Sequence, residues 1–150
     1  MNSLSKTACT GQTVRVIPLH RLSLWVPYFE SVAAGFPSPA DDYAEETLDV
    51  GAYLVKNPTA TFFVRVRGDS MIEASIHPND ILVVDRSLPA KHNSIVIAVL
   101  NGEFTVKRLH LRGRECQLLP ENSAYAPIPI VEGDQFSVWG VVAHVLHRPV

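Results

Sequence analysis

Cysteine is scarce in this chain: two in 150 residues, Cys9 and Cys116. Two thiols cannot build a disulfide framework or a four-cysteine zinc site. A cytoplasmic protein with reduced thiols is expected. Long apolar runs are missing as well. The longest clean one is Ile95–Leu100, far below the ~18 residues of a bilayer span. No basic start leads into an apolar stretch near the N-terminus, so neither a secretory signal nor a membrane anchor is expected. An excess of one charge is also lacking. The net charge is −2 and the pI about 6.3, which disfavours nucleic-acid binding through bulk charge. Internal repeats and low-complexity tracts are absent, and only one stretch reads as helical.

What is present is apolar material, 47% of residues against 19% charged. That suffices for the core of one domain with a tail. Residues 1–34 carry three basic groups and one acidic group, while the remainder carries ten basic and fourteen acidic. This first stretch shows no sustained period and reads as an arm that buries no core alone. Residues 35–60 read as a linker followed by a short helix. Phe36 to Asp42 holds two prolines and two aspartates and should be extended. Asp49 can cap a helix over 50–56, ended by Asn57 and Pro58.

From Thr61 to the C-terminus the pattern is β. Residues 61–67 are rich in β-branched and aromatic side chains. A turn at His77-Pro78-Asn79-Asp80 precedes a strand over 81–85. Asn101-Gly102 between 95–100 and 103–111 predicts a hairpin closed by a type I′ turn. A short strand over 116–119 and a longer one over 136–146 follow, the latter with Gly140 as a bulge or bend. The fold class expected is mostly β, a barrel or sandwich-like domain.

Three features could carry chemistry. Ser70, in Gly68-Asp69-Ser70-Met71, sits just past a strand end, where a hydroxyl and adjacent amides can face a cleft. It is not a nucleophile elbow, because Ile72 replaces the final glycine, and Asp69-Ser70 also suits a plain turn. Lys107 is a candidate base for that hydroxyl. On a strand over 103–111 it shares a face with Thr105, Leu109 and Leu111, opposite Phe104, Val106, Arg108 and His110. Burial among leucines would lower its pKa from ~10.4 toward a usable range, whereas a half-exposed strand would let it reach water. Ala33-Ala34-Gly35 offers small residues that could enter a narrow cleft in extended form, or simply a hinge. The histidines, at 20, 77, 92, 110, 144 and 147, show no ligand or triad spacing. No metal site and no cofactor are expected.

Taken together the order and spacing of these residues resemble the LexA/UmuD family of self-cleaving serine–lysine peptidases, most closely its UmuD-type mutagenesis proteins. The resemblance runs from about Ala34 to His147. It rests on Ala34-Gly35, the segment from Phe36 to Tyr43, Gly68 to Met71, Asn79 to Asp85, Gly102 to Lys107 and Asn122 to Tyr125. The separations, 35 residues from Gly35 to Ser70 and 37 from Ser70 to Lys107, are those of UmuD-type proteins.

The resemblance implies a LexA/signal-peptidase-like β-rich domain over 61–150 that is both catalytic and dimerising. It makes Ser70 the nucleophile, Lys107 the general base, the amides of Ser70 and Met71 the oxyanion donors, and Ala34-Gly35 the cleaved bond. It also implies stimulation by the RecA–single-stranded DNA filament during the SOS response, and assembly with a Y-family, UmuC-like polymerase subunit. Three other readings compete. A LexA-like repressor needs a DNA-binding module that 34 residues do not accommodate. A signal-peptidase-like enzyme needs a membrane segment. A noncatalytic β module would only bind partners.

Overall fold

The computed structural model describes residues 23–29, 34–35 and 45–150. Most of the arm, the Phe36–Asp42 segment and Cys9 lie outside these residues. The described elements are β1 (Trp25–Phe29), β2 (Glu45–Asp49), α1 (Val50–Leu54), β3 (Thr61–Arg65), β4 (Ile81–Asp85), β5 (Ile95–Leu100), β6 (Glu103–Arg112), β7 (Glu115–Leu119), β8 (Ile128–Pro129) and β9 (Phe136–Leu146). A 3-10 turn covers Ile72–Ala74. The fold is mostly β, as the strand patterns predict. Among the described residues no helix is long and apolar enough to cross a membrane.

Seven strands form one antiparallel sheet in the order β3-β4-β9-β5-β6-β7-β8. The predicted hairpin lies within it. Asn101 and Gly102 have φ of 49° and 84°, the left-handed pair that a two-residue type I′ turn requires. Both faces of the sheet are apolar, and β5 shows why its run does not alternate. Ile97 packs with Val66, Met71, Ile76, Leu82 and Val84, while Val96 and Ala98 pack with Leu109, Leu118 and Val141. A strand covered on both sides reads as continuous hydrophobics.

The long strand β9 joins the halves by pairing with both β4 and β5. Its register against β5 shifts between Ile97 and Ala98, whose partners are Gly140 and Val138. Trp139 is therefore the extra residue of a bulge. Its carbonyl accepts from Arg86 Nε at 2.9 Å, its indole lies 4.8 Å beneath the Arg86 guanidinium, and Phe62 packs 5.1 Å away. Gly140 is required by proximity: a Cβ there would stand 2.6 Å from Val84 Cγ1.

Besides the two-residue β8, two strands have no counterpart in the sequence pattern. β1 falls in the stretch read as an arm and β2 in the stretch read as a linker. Among the described strands β1 and β2 pair only with each other, from Trp25 opposite Asp49 to Phe29 opposite Glu45. Pro27, in the middle of β1, cannot donate to a ladder and suits a strand with one free edge. The expected helix follows directly and is shorter than predicted, ending at Leu54. Asp49 does cap it, accepting from Ala52 N at 3.1 Å, and Tyr53 packs its ring 5.5 Å from His144 on β9.

Gly140→Ala is expected to destabilise the chain by about 1–3 kcal/mol, because the methyl has no space beside Val84. Urea unfolding would show a lower midpoint with an unchanged slope. An unchanged midpoint would refute the close approach.

Candidate active site

The turn that carries Ser70 is set by its neighbours. β3 ends at Arg65, and Val66 and Met71 are both buried in the first core cluster. Between these anchors the chain reverses through Gly68, whose φ of 80° is a left-handed value that favours glycine. Met71 then opens the 3-10 turn, and Ser75, also left-handed at φ 59°, closes it. Ser70 is held at the rim of this anchored backbone, half-buried.

A loop from Glu121 to Tyr125 clamps this turn. Glu121 N donates to Ser70 O at 2.8 Å, and Glu73 N donates to Glu121 O at 2.8 Å. Asn122 Nδ2 donates to Asp69 O at 2.9 Å, and the Tyr125 hydroxyl donates to Asp69 Oδ1 at 2.5 Å. That hydrogen bond and the carboxylate charge beside it push the Tyr125 pKa up. Arg108 ion-pairs with Glu121 and so fixes the loop to β6. In the sequence the segment from Asn122 to Tyr125 stands out only through the resemblance. Its bracing of the Ser70 turn was not legible, because the two segments are about fifty residues apart.

Lys107 stands mid-way along β6, opposite Val96 of β5, and is only 8% exposed. It shares its face with buried Leu109, as strand alternation predicts. Its Nζ lies 2.9 Å from Ser70 Oγ, 2.8 Å from Thr105 Oγ1 and 3.0 Å from Val106 O. Among the described residues no carboxylate pairs with it. Burial alone therefore pushes the Lys107 pKa down, since desolvation penalises the ammonium and no anion restores it.

The three contacts suit a neutral amine. Its two hydrogens can go to Thr105 Oγ1 and Val106 O, which leaves the lone pair directed at the Ser70 hydroxyl. Strand alternation predicts Thr105 on this face, but nothing in the sequence marks it as the second support of the amine.

The backbone N–H groups of Ser70 and Met71 make no hydrogen bond to any described group, so both are available to an incoming oxygen. Ala34 and Gly35 are not brought to this pair. Both are exposed, and a Cβ at Gly35 would meet nothing within 4 Å. A buried amine against a serine hydroxyl, beside two unused amides, can deprotonate an alcohol and receive an oxyanion.

Comparison with known proteins finds a peptidase family. Residues 27–143 match the Peptidase S24-like family. The chain is 50% identical over 126 residues to Protein MucA of Salmonella typhimurium, covering 82% of this chain and 85% of the relative. It is 48% identical over 121 residues to Protein SamA of Salmonella typhimurium strain LT2, covering 81% and 84%. Against the LexA repressor of Syntrophobacter fumaroxidans it is 36% identical over 137 residues, which is 91% of this chain and 65% of that one. Matched over most of its length to a family of peptidases, and carrying a buried lysine against a serine, the chain belongs to the Peptidase S24-like family as a UmuD-type member.

Proposed function

We propose that this chain is a self-cleaving serine–lysine peptidase subunit of an error-prone translesion DNA polymerase, cut between Ala34 and Gly35. The observation that carries the reading is the 2.9 Å contact between Ser70 Oγ and the buried Lys107 Nζ, with no carboxylate among the described residues to hold the amine charged.

In the proposed reaction neutral Lys107 takes the Ser70 proton as Oγ attacks the Ala34 carbonyl carbon. The amides of Ser70 and Met71 receive the oxyanion, a contribution of about 10²–10³ in rate for each donor. Collapse breaks the bond to Gly35 N, which takes the proton back from Lys107. A Ser70–Ala34 ester remains. Water, deprotonated by Lys107, then hydrolyses the ester and frees Ser70. The products are residues 1–34 with a new carboxylate and residues 35–150 with a new amine.

The exposed position of Ala34-Gly35 supports a regulated reaction. The junction must first move into the Ser70 cleft of its own chain or of a partner copy. A ligand speeds such a step only by favouring the docked conformation. The RecA–single-stranded DNA filament takes that part in this proposal. Cutting also separates β1 from β2, because the junction lies between them. A lone two-stranded pairing is marginal in water, so loss of β1 bares the β2 edge. The shortened homodimer, carrying that edge, is the form that joins the Y-family polymerase subunit. The setting is cytoplasmic.

Ser70→Ala should abolish the fragment that begins at Gly35. Mass spectrometry of the purified chain after prolonged mildly alkaline incubation checks this, and an undiminished fragment in the variant would overturn the assignment. The rate of self-cleavage should rise with pH and then level off. A lowered Lys107 pKa fills the neutral form earlier, so the plateau should arrive below the ~10.4 of an ordinary lysine; a rate still climbing beyond that value would contradict the burial argument. Thr105→Val should reduce the plateau rate about 10- to 100-fold by letting the amine turn away from Ser70, with little change in the unfolding midpoint. Full activity in that variant would exclude Thr105 as a support.

A further inference from the structure

The histidines show no ligand spacing along the chain, yet the sheet brings two of them together. β4 starts at Ile81, which faces Leu146 at the end of β9. Residues just before β4 therefore meet residues just after β9. His77 opens the turn before β4, Asp80 closes it, and His147 follows β9. Nδ1 of His147 lies 2.7 Å from Asp80 Oδ1, and Nδ1 of His77 lies 3.7 Å from Asp80 Oδ2. One ligand atom from each of the three residues falls within 4.8 Å of the other two.

Two features set this cluster apart from a surface coincidence. The Asp80 carboxylate is 4% exposed and, among the described residues, pairs with the two histidines and no lysine or arginine. The second feature is His77 Nδ1. It is sealed from solvent and has no hydrogen-bond partner among the described residues. Buried polar atoms in native proteins almost always have a partner, and this one faces a carboxylate and a second imidazole.

Two imidazole nitrogens and one carboxylate oxygen are a borderline donor set suited to Zn²⁺ and its neighbours in the first transition row. Ligand atoms around a tetrahedral zinc stand about 3.3 Å apart; the two histidines approach different oxygens of Asp80 and the set spans up to 4.8 Å, so the side chains must draw together around the ion. The His77 amide donates to Asp80 Oδ2 at 2.8 Å and orients the carboxylate, as the outer partners of metal ligands do. A cleft of about 650 Å³, bordered by Arg65, Leu146 and Arg148, opens onto the cluster and provides a path of entry.

We propose that His77 Nδ1, the Asp80 carboxylate and His147 Nδ1 form a site for one divalent transition-metal ion, Zn²⁺ by donor set. The ion ties the segment after the Ser70 turn to the C-terminal end of β9, with solvent in the remaining position. The alternative for the same atoms is a His147–Asp80 hydrogen bond that binds nothing.

Calorimetric titration of the chelator-stripped full chain with ZnCl₂ separates the two. One equivalent per chain is expected, with Co²⁺ giving the visible absorption of a tetrahedral site. His77→Gln and His147→Gln should each weaken Zn²⁺ binding at least tenfold, while His92→Ala, which alters the other close imidazole pair, His92 with His110, should leave it unchanged. His77 is 46% exposed, so its variant keeps the fold, and circular dichroism would verify this for each protein. Absence of Zn²⁺ binding by the wild-type chain, or binding equally tight in both glutamine variants, would overturn the site.

Discussion

The proposed chemistry depends on an amine removed from water with, among the described residues, no carboxylate beside it. Lysine burial is unfavourable to the ammonium, and the usual remedy is an acidic partner. Here that remedy would defeat the purpose, because a carboxylate against Lys107 would restore its charge and its proton. Among the described residues the amine meets only neutral acceptors, Thr105 Oγ1 and Val106 O, besides the Ser70 hydroxyl. The nearby charges are spent elsewhere. Strand alternation turns Arg108 to the opposite face of β6, where it takes up Glu121. The same ion pair anchors the loop that braces the Ser70 turn. One residue step along a strand thus separates a buried amine from a structural cation.

The alcohol has to be held as firmly as the amine. Ser70 belongs to a turn rooted in the first core cluster through Met71, and Lys107 shares its face with Val96 and Leu109 of the second. The contact between them spans the two halves of the core. Neither cluster alone could fix a 2.9 Å distance. Asn122 and Tyr125 add to this by gripping Asp69 from the far side, which limits the turn to one setting of the Ser70 backbone.

Legibility in the sequence followed the range of the interactions. The 95–112 hairpin was readable because Asn101-Gly102 sets its register locally, and β4 and β9 were readable from their β-branched runs, with Gly140 marking the bulge. β1 and β2 were not. Trp25–Phe29 contains a proline and is largely exposed, and Glu45–Asp49 is mostly polar, so neither shows the alternation of a half-buried strand. Each is a strand only because the other is present. The pairing of Ser70 with Lys107 could not be read from local context, where a turn serine and a strand lysine are ordinary. The resemblance supplied it, and the geometry is consistent with it. For His77 and His147, seventy residues apart, no spacing rule applies, and only the pairing of β4 with β9 joins them.

The two-stranded pairing of β1 with β2 gives the proposed cleavage a further physical consequence. Before cutting, β1 and β2 belong to one chain, and a short connection holds them at an effective concentration of order millimolar. Five facing residue pairs suffice at that concentration. After cutting, the same contacts must hold two separate molecules together, and the largely exposed Trp25 and Phe29 contribute little buried apolar area to keep them so. Breaking one peptide bond therefore weakens the association without altering any contact. Release of the arm becomes dependent on dilution, and a partner strand of higher affinity can compete for the edge of β2. On this view hydrolysis acts as the switch because it removes covalent connection from a pairing that was marginal from the start.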